Sequence, residues 1–112
     1  MNRKYVLALD LKDDAELISD YEQWHANVWP EIIVSIRDAG IEDMEIFRVG
    51  NRLMMIMEVN DTFDFDTKAA ADAANAKVQE WETLMWNFQQ PLPFAKNGEK
   101  WMLMEKIFSL PR

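Results

Sequence analysis

The chain has no cysteine and a single histidine, His25. Without thiols there is no disulfide, no thiolate metal site and no cysteine nucleophile, a usage that fits a reducing compartment. One histidine cannot build a multi-imidazole metal centre. The nearby carboxylates Glu22 and Glu31 sit at the wrong helical angles to complete one, so no metal site is expected. Positive charge is scarce as well: 12 Lys and Arg stand against 20 Asp and Glu, for a net charge of −8. Nucleic acids and anionic membrane surfaces draw most of their affinity from Lys and Arg, so neither is an expected partner. Glycine (3) and proline (4) are few. Little of the chain therefore reads as disordered, and no Gly-rich phosphate loop is present. Ser19, Ser35 and Ser109 lie in no nucleophile-elbow context. Apolar runs such as Leu53 to Met57 are far too short to span a bilayer. With no leader pattern at the N-terminus, the cytoplasm is the expected compartment.

What is abundant is bulk. Apolar residues make up 49% of the 112 positions, with five Trp and eight Met among them. Trp supplies area with one donor to satisfy, and Met fills irregular gaps, so the ordinary role of each is core packing. A single domain over 1–112 is expected. A chain of this size buries only about two thirds of its unfolded surface, so a partner subunit would help.

The pattern along the chain is legible. Tyr5, Leu7, Leu9 and Leu11 alternate with Val6, Ala8 and Asp10, which predicts a strand. Lys12-Asp13-Asp14 then offers a helix N-cap. Leu17, Ile18, Tyr21, His25, Val28, Trp29, Ile32, Ile33 and Ile36 recur at helical spacing. Pro30 removes a backbone donor inside this stretch and predicts a break near Asn27 to Trp29. Gly40 closes the helix. Met44–Val49 and Leu53–Val59 read as strands joined by a hairpin at Gly50-Asn51. A second helical region runs from about Phe65 to Phe88, with Asn75 marking a break and a fresh cap. Its last part carries the stripe Val78, Trp81, Leu84, Met85, Phe88. Pro91 through Gly98 reads as a loop and Trp101–Leu110 as a last strand.

The order β-α-β-β-α-β is that of an α+β, ferredoxin-like fold, in which two helices cover one face of an antiparallel sheet. The other face should then be polar, yet it is not. Phe47 and Val49 oppose Met44 and Ile46; Met54 and Ile56 oppose Leu53, Met55 and Met57; Met102, Met104 and Phe108 oppose Trp101 and Leu103. A monomer would expose too large an apolar patch. A second copy, packed sheet to sheet about a two-fold axis, is the simplest partner, giving a homodimer.

His25 alone has an unperturbed pKa near neutrality. It follows Tyr21 by four residues and so shares its helix face. From spacing alone, such a histidine is ordinarily a buried, hydrogen-bonded core residue; proton transfer is the alternative. Trp81, on its apolar stripe, reads as core, and Glu82, about 100° further round, as solvated charge.

The stretch Tyr21-Glu22-Gln23-Trp24-His25, followed by Val28-Trp29-Pro30-Glu31, resembles the Y-x-x-x-H-x-x-x-W-P-E signature of the L-rhamnose mutarotase family. Gly40, the Ile46 to Val59 hairpin, Gln79-x-Trp81 with Met85, and Ile107-Phe108-x-Leu110-Pro111 agree in register, so the resemblance spans nearly the whole chain. It implies a dimeric α+β barrel that interconverts sugar anomers without a cofactor. His25 takes the position of the proton donor, and Tyr21 and Trp81 take sugar-binding positions. With Trp29 beside them, the expected substrate-binding set is Tyr21, Trp29, Met44, Trp81 and Glu82. Two positions depart from the pattern: Glu82 replaces the second Trp of a Trp-Trp pair, and Met44 replaces a Tyr. Losing an aromatic platform and a hydroxyl while gaining a carboxylate changes which sugar hydroxyls are read. The expected substrate is accordingly a 6-deoxy-L-hexose, L-rhamnose or L-fucose, with L-fucose leading. The second proton carrier is left open among Tyr21, Glu82, another carboxylate and water. Two other readings compete: a dimeric α+β barrel monooxygenase or haem-degrading protein, and a non-enzymatic sugar-binding or oligomerisation module.

Overall fold

The computed structural model describes residues 2–112. The elements run β1 (Arg3–Leu11), α1 (Ala15–Ala26), α2 (Pro30–Asp38), β2 (Ile41–Val49), β3 (Arg52–Val59), α3 (Phe65–Ala74), α4 (Ala76–Trp86), β4 (Gln89–Gln90) and β5 (Met102–Leu103). Both helical regions are divided where local chemistry demands it. Pro30 opens α2 as its first residue, the place where a missing backbone donor costs nothing. The Asn75 side chain accepts from the backbone N–H of Lys77 and Val78 and so restarts the helix as α4. Asp14 does the same for α1 through Glu16 and Leu17, both at 3.0 Å; such a cap contributes about 1 kcal/mol.

The sheet is antiparallel, in the order β2-β3-β1-β4, with β5 also on β1. The β2–β3 hairpin turns on Gly50, whose φ of 57° is what the first central position of a primed turn requires. Gly40, between α2 and β2, has a φ of 96°, and a Cβ there would lie 2.6 Å from the Asn60 carboxamide oxygen. Only glycine fits that crossing.

Register assigns the two faces. Leu7, Leu9, Met55, Leu53, Ile46 and Met44 line up across the three long strands and point under the helices. The core has two parts. One joins Leu11, Tyr21, Ile32, Leu53, Val78, Trp81, Met85 and Phe88; the other joins Leu7, Ile41, Met57, Val59 and Phe63. Ile36 and Trp101 pack against both. The opposite face carries Val6, Ala8, Met54, Ile56, Phe47 and Met102, without a helix to cover it. Phe47 is 49% exposed there. Along one edge of that face Arg52 grips the buried carboxylate of Asp10 through two nitrogens, at 2.8 and 3.1 Å.

The C-terminal strand is the main difference from the sequence reading, which extended it over Trp101–Leu110. Only Met102 and Leu103 pair, with Ala8 and Leu7, and Met104 adds one bond to Val6. The edge of β1 is shared, since β4 takes Asp10 and Leu11. Beyond Met104 the chain leaves the sheet with Ile107, Phe108 and Leu110 exposed. Apolar alternation is present in this segment, but a strand needs a ladder partner, and one copy of the chain provides none.

Candidate active site

The C-terminal half of α1 faces the start of α2 and the middle of α4, and the site forms where they meet. The spacing of Tyr21 and His25 stacks their rings, with centroids 4.3 Å apart. The Nδ1–H of His25 donates to the Tyr21 backbone carbonyl oxygen at 2.9 Å. A carbonyl can only accept, so Nδ1 carries the proton and Nε2 keeps its lone pair. Burial pushes the His25 pKa below its ordinary value, and the bond to the Tyr21 carbonyl opposes this. The neutral imidazole therefore prevails at pH 7, with Nε2 as a base.

Trp81 is the hub of this aromatic cluster. It is buried on α4, and its ring meets His25 at 5.7 Å, Trp29 at 5.1 Å and Trp24 at 6.4 Å, each nearly edge-on. Edge-to-face packing leaves aromatic faces and edges for a ligand with both apolar C–H and hydroxyl groups. Trp29 is fixed as the cap residue of α2, and the Lys77 ammonium lies 5.6 Å over its ring. Tyr21 is 3% exposed. Burial raises its phenol to about 12, against a side-chain hydrogen bond from Gln89. The hydroxyl therefore keeps its proton at any ordinary pH.

The expected residues thus fall into two groups. Tyr21, His25, Trp29 and Trp81 come together. Met44 packs against the other core cluster, with Met57 opposite it in the sheet, while the neighbouring inward residue Ile46 packs on the cluster that contains Tyr21 and Trp81. Glu82 is half-buried on the flank of α4. Gln79 donates to it at 3.4 Å, and its charge bears on Lys100, whose ammonium sits 4.9 Å over Trp86. Among the described residues, no group of three or more His, Asp or Glu is arranged to hold a metal ion. Sequence reasoning missed Gln89 and Trp24. Trp24 lies in the signature stretch itself; Gln89 follows the Phe88 stripe and precedes Pro91, with nothing local to mark it as buried.

Comparison with known proteins bears on the family and the fold. A family model described as L-rhamnose mutarotase matches residues 4–110. A protein named L-fucose mutarotase from Xanthomonas campestris pv. campestris is 51% identical over 104 residues, covering 91% of this chain and 83% of that one. Two solved structures share the fold. An L-rhamnose mutarotase from Formosa agariphila superposes with a TM-score of 0.72 at 22% identity, covering 97% of this chain and 99% of the other. The tetracenomycin F2 cyclase of Streptomyces glaucescens, a type-II polyketide cyclase, gives 0.62 at 18% identity over 98% of each chain. The architecture is the small α+β fold of the dimeric α+β barrel type.

Proposed function

The chain belongs to the L-rhamnose mutarotase family, and from that premise we propose that it interconverts the α and β anomers of a 6-deoxy-L-hexose, L-fucose ahead of L-rhamnose, with His25 moving the proton. The observation that carries this reading is the state of His25: a neutral imidazole, anchored through Nδ1 and half-buried among aromatic rings, with Nε2 unprotonated. The choice of L-fucose rests on the 51% identical relative of that name and on Met44 and Glu82, which depart from the rhamnose pattern.

Anomer exchange is proton bookkeeping around one carbon. Nε2 of His25 takes the proton of the anomeric hydroxyl as the bond from the anomeric carbon to the ring oxygen breaks. The ring oxygen gains a proton from a second group. The free aldehyde turns about its bond to the chain and recloses from the other face, with the two proton transfers reversed. Of the groups open for the second role, Tyr21 stands against the His25 ring, whereas the contacts of Glu82 run to Gln79 and Lys100. We therefore assign the second transfer to the Tyr21 hydroxyl. A positioned acid or base contributes roughly 10²–10⁴-fold to such a step. Trp81 and Trp29 offer the apolar surface for the C–H side of the sugar, which also excludes water from the reacting centre.

The protein is proposed to act as a single cytoplasmic domain over residues 1–112 and as a homodimer. Two surfaces support the dimer: the uncovered apolar sheet face, and the segment after Met104, whose Ile107 and Leu110 are 93% and 77% exposed. An extended segment of that length reaches roughly 30 Å, far enough to lie along a second copy's sheet. Magnetisation-exchange NMR on equilibrated L-fucose and L-rhamnose tests the activity. Faster α/β exchange is expected with both, more so with L-fucose; uncatalysed rates with both sugars refute the proposal.

A further inference from the structure

Next to α1, the edge of the sheet carries a buried amide that the mechanism above does not use. Gln89 opens β4, paired with Leu11 of β1. Cross-strand partners point to the same side of a sheet, and Leu11 is part of the core beneath the helices. The Gln89 side chain is therefore directed under the helix layer, beside Tyr21: the preceding residue Phe88 meets the Tyr21 ring at 6.3 Å, and Gln89 lowers the Tyr21 pKa against the effect of burial. The residue is only 4% exposed, and its Oε1 is buried with no hydrogen-bond partner.

The bare Oε1 is a strong acceptor in a place where nearly all side-chain polar atoms are paired. A residue needed only to fill this space would be apolar, because Met or Leu occupies similar volume with no polar group to satisfy. The missing partner of Oε1 is an O–H or N–H donor, and a sugar carries several O–H groups. Gln89 stands at the hydroxyl end of Tyr21, whereas His25 lies against the ring. The hydroxyl that meets Gln89 is therefore a different one from the anomeric hydroxyl at Nε2.

We propose that Gln89 is a substrate-reading residue of the His25 site: its side-chain oxygen accepts from one non-anomeric hydroxyl of the bound sugar. The inference rests on the anomer-exchange reading and adds a determinant of which sugar is accepted.

The test compares wild type with Gln89→Met on L-fucose and on its monodeoxy derivatives, each lacking one non-anomeric hydroxyl, by the same exchange measurement. For one derivative, wild type shows KM raised roughly 3–10-fold over L-fucose, the worth of one hydrogen bond. Gln89→Met abolishes that difference and leaves the discrimination at the other positions intact. Gln89→Asn, which keeps an amide in a smaller volume, provides the same comparison if the Met variant does not fold. Unchanged discrimination at every position in either variant, or a uniform loss for all sugars accompanied by a lower melting temperature, overturns the inference and makes Gln89 a structural amide. Absence of exchange by wild type on every sugar overturns the functional reading, and the inference with it. An active wild type with indifferent variants overturns the inference alone.

Discussion

Trp81 is expected to hold the helices together and to floor the site, and substitution separates the two roles. Its side chain is 8% exposed, and three aromatic rings meet it edge-on. Truncating a buried Trp or Phe to alanine costs about 3–5 kcal/mol, from lost burial and the cavity left behind. Small domains have only about 5–15 kcal/mol in total, so Trp81→Ala removes a large share and loosens α4 from α1 and α2. Trp81→Phe keeps a ring in the stripe but loses reach toward one or two of its neighbours. At about 0.5–1.5 kcal/mol for each aromatic contact, it costs roughly 1–2 kcal/mol. Urea unfolding followed by far-UV circular dichroism at one fixed protein concentration measures both, the concentration being held because association shifts apparent stability. The Phe variant remains folded yet binds sugar more weakly, which appears as a raised KM in exchange kinetics. If Trp81→Ala is within about 1 kcal/mol of wild type, Trp81 is not the hub described here.

Two further expectations concern protonation and assembly. Burial places the His25 pKa below 6.5, so exchange holds constant through neutrality and falls only on the acid side, with an apparent pKa below 6.5. Tyr21, raised to about 12, causes no alkaline loss below about pH 10, two units under that value. The same shift bears on stability. Below 6.5 the unfolded chain binds a proton at His25 that the folded chain resists, so stability is fully present above that pH and declines as pH falls toward the folded pKa. Urea midpoints across this range show the decline in wild type and a shallower one in His25→Gln. Light scattering gives twice the 13.2 kDa chain mass for the full protein, and a shift toward one chain mass after removal of residues 105–112; a full-length monomer refutes the dimer.

Where the governing interactions are local, the sequence was readable. The break at Pro30, the cap at Asn75 and the hairpin at Gly50 each follow from the chemistry of one or two neighbouring residues. The two apolar faces of the sheet were equally plain, because alternation sets side-chain direction once a strand exists. Alternation could not say where the last strand stops, since Ile107 and Phe108 keep the pattern without a ladder partner. β4 was invisible for the complementary reason: two residues show no period, and they pair only because β1 lies beside them. Tyr21, His25 and Trp81 were expected at the site through family resemblance, on faces assigned by helical spacing. Gln89 was not, because its burial depends on a long-range pairing with Leu11. For Met44, alternation gave the correct face. Its place along the sheet follows from register and from the irregularity between Ile41 and Asp43, neither of which is written locally.

The central claim is that His25 carries the proton, and the most direct test is magnetisation-exchange NMR on L-fucose with wild type and His25→Ala at equal concentration near neutral pH. His25 is half-buried and anchored within its own helix, so the variant folds, with a near-native circular dichroism spectrum. Its catalysed exchange is expected to fall by roughly 10²–10⁴-fold. A folded His25→Ala protein that exchanges the anomers within a few-fold of wild type contradicts the account.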